Sequence, residues 1–344
     1  RAQISPIQVT PTARRGQSRA LASPLILIYA FGGLITFGTL MLLMPFSHHG
    51  SGITPFIDAL FTATSAATVT GLIIQDTATY WTRIGQVIIL GLIFVGGLGF
   101  MSIATFLLVL FGQRVTLTQR LLMKESLGVD HLGGLARLTI RIVIIAAGVQ
   151  IIGFVALLTR FSLHYDYSLS ESIWQSAFHA VSAFNNAGFV ALPDTESLSA
   201  FHTDKPLLAI ISVLILLGSI SFWVMVDLVR FRKLSLLTLN TKLVLVMSFT
   251  LIVLGSVVFF LSEYNNSHTL GESNILDKAM ISIFESISGR TAGFSTVNFS
   301  TTQQHTNFFF SGLMFIGGAS ASVAGGIKVN TLAVVLVAVF STIR

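Results

Sequence analysis

Long apolar runs alternate along this chain with shorter, more polar ones. Six stretches, 25–44, 84–111, 142–158, 207–229, 243–261 and 308–340, approach the roughly 20 residues of helix that a bilayer core requires. They fall into three pairs. Between the members of each pair sits a weaker stretch, 55–70, 173–187 or 279–292, too short and too polar to cross. Such a segment lies at the interface or dips into the membrane and returns.

Each short segment closes on a glycine: Thr68-Val69-Thr70-Gly71, Asn185-Asn186-Ala187-Gly188 and Arg290-Thr291-Ala292-Gly293. The glycines lie 117 and 105 residues apart, room for two membrane helices and a re-entrant piece. The pattern predicts an all-α polytopic membrane protein of repeated helix–pore loop–helix units around a central pore. A tail (1–20) precedes a first unit (21–112). A connection (113–139), a second unit (140–231) and a third (232–344) follow.

A short helix that enters from outside and stops midway points its carbonyl end into the membrane, where its partial negative charge favours a cation. The chain then returns as non-helical backbone, tolerable only if it is buried in protein or lines water. Glycine reaches the dihedrals that aim successive carbonyls at one axis. The twelve residues of the three tetrapeptides are therefore candidate filter residues. A single glycine would be read as a close-packing position, as Gly32-Gly33 and Gly96-Gly97 are; three in register point to an ion filter. Arg290 is expected to turn away from the axis and pair with a carboxylate such as Glu285 or with backbone carbonyls. Asn185 and Asn186 can brace their loop by side-chain hydrogen bonds. Trp174, Phe178 and His179 are expected to pack.

The sixth run is broken by Gly317-Gly318-Ala319-Ser320-Ala321-Ser322-Val323-Ala324-Gly325-Gly326, with Lys328 just beyond. Glycines in a helix interior cost about 1 kcal/mol each relative to alanine, so the segment is expected to unwind. At mid-membrane, 317–327 would be a gate below the filter, with Lys328 limiting flow or anchoring the loop. The plainer alternative is a kinked helix whose lysine snorkels to the cytoplasm.

Composition fits a membrane chain: 10% of residues are charged, 53% are apolar, and the mean hydropathy is +0.82. With no cysteine, disulfide scaffolds, thiolate metal sites and cysteine catalysis are excluded. Fourteen of the 20 Lys and Arg residues fall in the tail (Arg1, Arg14, Arg15, Arg19), the even-numbered connections and at Arg344. The positive-inside rule puts both termini in the cytoplasm. Acidic residues such as Asp58, Asp76, Glu171 and Asp277 fall on the outer side, forming either a vestibule that concentrates cations or simply polar loops. The net charge of +6 then reflects topology, and no nucleic-acid partner is expected.

At Gly71, Gly188, Gly293 and Gly317 to Gly326 the chain resembles the Trk/Ktr/HKT superfamily of potassium transporters, most closely its Ktr-type bacterial membrane subunits, over essentially its whole length. The resemblance implies four units around one pore, each giving one filter glycine, with a gating loop in the second helix of the third unit. A fourth unit is then expected beyond Arg344. It also implies potassium at the filter carbonyls as the transported ion, sodium as a second candidate ion, a homodimer in the cell membrane, and a cytoplasmic ring of nucleotide-binding regulatory subunits. The basic tail and the loop 114–137 are the surfaces to meet that ring or anionic membrane lipid. A sodium-coupled secondary transporter, or a sodium-permeable one, is the nearest alternative. Secondary transporters normally show inverted repeats and intramembrane carboxylates, whereas these units repeat in one orientation. An intramembrane enzyme would need a catalytic motif, and neither His-Glu-x-x-His nor Gly-x-Ser-x-Gly occurs. No catalytic residue and no covalently bound cofactor are expected.

Overall fold

The computed structural model describes residues 25–99, 135–193, 195, 197–230 and 234–343. The expectations for the basic tail, for 113–134 of the connection after the first unit and for 100–111 of the second span lie outside the described residues. So does that for Arg344.

Among the described residues the fold is helical, with backbone bridges only at His48–Trp81 and Ile316–Ile327. The first unit holds α1 (Leu25–Leu43), α2 (Phe56–Ala67) and α3 (Arg83–Leu98). The second holds α4 (Leu135–His164), α5 (Leu169–Phe184), α6 (Lys205–Ser219) and α7 (Phe222–Arg230). The third holds α8 (Leu239–Glu263), α9 (Ile275–Ser288), α10 (Gln304–Met314) and α11 (Val329–Ile343).

The short helices are α2, α5 and α9. Each carries one acidic residue in its first turn, Asp58, Glu171 or Asp277, where the helix dipole favours negative charge. The second and third begin four residues earlier than hydropathy suggests, at Leu169 and Ile275. Their polar first turns dilute the apolar signal; α5 in addition is capped, the Ser168 hydroxyl accepting from the Glu171 amide at 3.2 Å.

Each short helix packs beside the long helix before it, and α3 and α6 also lean on the short helix of the following unit. Leu42, Ala63, Ile89 and Phe178 form the core at the first seam, and Leu157, Ile211, Phe284 and Phe294 the core at the second. Glycine permits the closest approaches. A methyl group at Gly96 would fall 2.0 Å from the carbonyl oxygen of Ala67, and one at Gly218 would fall 1.8 Å from that of Phe184. Those oxygens belong to the last residues of α2 and α5, so α3 and α6 seal the ends of the short helices. Gly32 and Gly33, by contrast, have open space around them.

Two described helices, Thr139–His164 and Leu239–Glu263, are long and apolar enough to cross a membrane. Their outward residues, among them Ile152, Val155, Phe249 and Leu261, are exposed, as a lipid-facing surface requires. The fourth predicted span is not continuous: Lys205–Ser219 and Phe222–Arg230 meet at 102°. Hydropathy misses the break because the residues on either side are equally apolar. Its cause is a set of outside donors. The amides of Ala319 and Val323 bond to the carbonyls of Ser219 and Gly218 at 2.9 and 3.3 Å, replacing bonds that a continuing helix would have made.

Candidate ion pathway

Three irregular segments leave the carbonyl ends of α2, α5 and α9, and their backbones share one conformation. Two residues before each glycine stands a non-glycine residue with positive φ: Val69 (55°), Asn186 (55°) and Thr291 (68°). The glycines follow at 82°, 68° and 81°. Val and Thr are rare in this region, and each such residue costs about 1–3 kcal/mol unless its surroundings fix it. Here short backbone bonds fix it. The amides of Thr70, Ala187 and Ala292 return to Ser65, Ser182 and Ser288 at 2.8, 2.8 and 2.9 Å.

The rising limbs are tied back to their helices by side chains. Gln75 donates to the Asp58 carboxylate at 2.8 Å, and Gln175 to the Ala191 carbonyl at 2.7 Å. Glu285 accepts from the amide and hydroxyl of Thr296 at 2.6 and 2.7 Å. The Ser182 and Ser288 hydroxyls hold the carbonyls of Phe189 and Phe294.

The hairpins meet. A methyl group at Gly71 would lie 2.4 Å from the Ala187 oxygen, and one at Gly188 would lie 2.8 Å from the Ala292 oxygen and 2.8 Å from Gly293 Cα. Asn185, Asn186 and Ala187 of the middle hairpin are fully buried, whereas Thr68 and Thr70 of the first are exposed. The first and third hairpins line one cavity of about 480 Å³, which also reaches Gly325.

Arg290 sits at the start of the third hairpin but its guanidinium does not face the cavity's carbonyls. It donates to the Gly317 carbonyl at 3.0 Å and the Ser248 carbonyl at 3.5 Å, while Glu285 is engaged by Ser295 and Thr296. Of the two classes of partner expected for Arg290, the structure provides backbone carbonyls. The Asn185 amide donates to the Val181 carbonyl at 2.8 Å. Asn186 makes no side-chain hydrogen bond. Phe178 and His179 are fully buried among rings, and Trp174 donates to Gln86 at 2.8 Å.

Between α10 and α11 the chain forms a loop with a clamped neck. Gly317 donates to Ile327 at 3.1 Å, Ile327 to Phe315 at 2.8 Å, and Val329 to Gly318 at 3.1 Å. A methyl group at Gly317 would fall 1.6 Å from the Gly325 oxygen, so the neck closes only on glycine. Ala321 (φ 58°) and Gly326 (φ 73°) turn the chain. Ala319 and Val323 hang the tip on the α6–α7 break. The Lys328 ammonium donates back to the Ala324 carbonyl at 2.5 Å. Ala321 to Ala324 and Lys328 face Gly96, Gly97 and Gly99 across a cavity of about 240 Å³, so the loop spans from the break in the second unit to the end of α3. Ser320 donates its amide to Asn330, which in turn donates to Asn240 on α8.

Outside the membrane-spanning segments, Asp204 caps α6 and gathers Arg160 (2.9 Å), Tyr165 (2.5 Å) and the Leu207 amide (3.0 Å). Burial pushes its carboxyl up, but the hydrogen bonds from Arg160, Tyr165 and Leu207 outweigh it and hold the group below the ordinary carboxylate range. Burial, then the bond to Asp204, raises the Tyr165 hydroxyl above the ordinary tyrosine value. In the sequence Asp204 counts among the outer acidic residues and Arg160 among the few outer cations, and nothing there joins them into this cluster.

The sequence of the TrkH cation transport protein family matches this chain over residues 7–343. The chain belongs to that family. It is 38% identical over 321 residues to the Ktr system potassium uptake protein B of Bacillus subtilis, covering 93% of this chain and 71% of that protein. It is 37% identical over 327 residues to the potassium/sodium uptake protein NtpJ of Enterococcus hirae, covering 95% and 71%. The crystal structure of the potassium transporter TrkH from Vibrio parahaemolyticus superposes with a TM-score of 0.69 at 19% identity, covering 95% of this chain. That match shows the shared fold. The chain spans 62% of the length of the Vibrio transporter.

Proposed function

We propose that this chain is the ion-translocating part of a potassium uptake system in the cell membrane. One observation carries the reading: three hairpins of identical handedness, at Val69–Gly71, Asn186–Gly188 and Thr291–Gly293, converge with their backbones in contact. Backbone oxygens so arranged replace the water of a desolvated monovalent cation. The filter comprises Thr68 to Gly71, Asn185 to Gly188 and Arg290 to Gly293, and a fourth unit completes its ring. The names of the Bacillus and Enterococcus relatives support potassium as the ion. The name of the Enterococcus protein also favours a second reading, in which sodium passes or is coupled.

The loop 317–327 is the gate. It reaches the same cavity as the hairpins through Gly325, is built of small residues, and is pinned by Lys328 and Arg290. The protein acts as a homodimer with its N-terminus in the cytoplasm, above a ring of nucleotide-binding regulatory subunits. The system designation carried by its Bacillus relatives supports such companion chains. Purified full-length protein in liposomes should take up potassium in preference to sodium. Gly71→Ser should lower that preference at least tenfold, because the added side chain meets the Ala187 carbonyl. Unchanged selectivity would overturn the filter assignment.

A further inference from the structure

The two described seams between units carry the same ion pair in the same register. Arg83, the first residue of α3, pairs with Glu171 in the first turn of α5. Lys205, the first residue of α6, pairs with Asp277 in the first turn of α9 at 2.9 Å. In each case the cation opens the second helix of one unit, and the acid is the third residue of the next unit's short helix. In the first unit Asp58 holds this register and is bonded by Gln75 of its own rising limb. A pair recurring at the same two helix positions 122 and 106 residues further along the chain reflects a shared geometric demand, not two accidents of a polar surface.

The acid is not free to move. Glu171 also holds Gln175 at 2.7 Å, and Gln175 holds the Ala191 carbonyl on the limb rising from Gly188. Arg83 lies over the Trp174 ring, 5.3 Å from its centre, and bonds Gln86 at 3.3 Å. A push on the outer end of α5 therefore reaches the hairpin through the rigid helix and through Gln175. Half-exposed ion pairs of this kind contribute little to global stability. What they can fix is angle. A short helix anchored only at its buried carbonyl end can tilt, and its outer end is where a cross-unit bond has the longest lever.

We infer that Arg83–Glu171 and Lys205–Asp277 are inter-unit staples that set the tilt of the second and third short helices, making these four side chains positioning residues for ion selectivity. This rests on the filter reading above. The test is charge reversal in the full-length protein in liposomes, measuring the ratio of potassium to sodium uptake. Arg83→Glu and Glu171→Arg should each lower the ratio by about fivefold, at the upper end of what an exposed pair contributes. The double variant should recover most of it, and Lys205→Glu with Asp277→Lys should behave alike. Thermal midpoints should stay near that of the unaltered protein, which separates positioning from folding; if a reversal does not fold, Lys205→Gln supplies the same comparison. Unchanged ratios, or doubles no better than singles, overturn the staples and leave the filter standing. No selective uptake by the unaltered protein overturns both.

Discussion

The glycine hairpins and the 315–328 loop are both irregular backbone between helices, yet they are held in opposite ways. Each hairpin hangs from its own helix by a short amide bond, is tied along its rising limb by Gln75, Gln175 or Glu285, and touches its neighbour through backbone. Strained dihedrals at Val69, Asn186 and Thr291 persist because those bonds over-determine them. The loop is closed at its neck by its own strand-like bonds, but its tip rests on two carbonyls of another unit and one lysine. The hairpins are held mainly by bonds to their own helices, and the loop's tip by bonds to another unit.

The sharpest way to break this comparison is at the middle hairpin. Gly188→Ala puts a methyl group 2.8 Å from two backbone atoms of the third hairpin at φ 68°. It should cost about 2–5 kcal/mol, combining dihedral strain and overpacking. Thermal unfolding in detergent, with and without potassium, should show a lower midpoint and loss of the stabilisation by potassium. A variant stabilised by potassium like the parent would mean the hairpins yield as readily as the loop.

The loop offers the intermediate effect. Lys328→Met removes the ammonium bond to Ala324, a charge-assisted contact of about 1.5–3 kcal/mol. Uptake should rise several-fold while the potassium-to-sodium ratio stays put. A changed ratio would show that loop and filter are one body.

Much of this was legible in the sequence, and the parts that were not share a cause. The three hairpin glycines stood out because only glycine carries those dihedrals at no steric cost, and the glycine-rich loop announced itself by composition. Val69 and Thr291 gave no such sign: β-branched residues argue against positive φ, and only the bonds around them override that preference. The bend after Ser219 was hidden because its stabilising donors, Ala319 and Val323, lie about a hundred residues later. The acids Glu171 and Asp277 were visible as outer-face polarity, but their pairing with Arg83 and Lys205 depends on which helix lies beside which.

The smallest effect is expected at Asp204, which belongs to neither region and so calibrates both. Its carboxyl is held below the ordinary range in the folded protein. The stability it lends is therefore complete above the ordinary carboxylate value and is lost as pH falls through its lowered folded value. Asp204→Asn should lower the thermal midpoint at neutral pH and flatten its acid dependence, with ion selectivity unchanged. A parallel shift at every pH would assign the acid dependence elsewhere.

The carbonyls of Gly218 and Ser219 have a consequence for how a path through this protein could widen. While the tip sits on them, protein donors satisfy both oxygens; once it lifts, solvent must take over at the same instant, because bare peptide oxygens in a dry interior are too costly to leave. If the loop is the gate proposed above, wetting and widening are thus a single event, and the corner in the second unit would become part of the hydrated wall beside the ion.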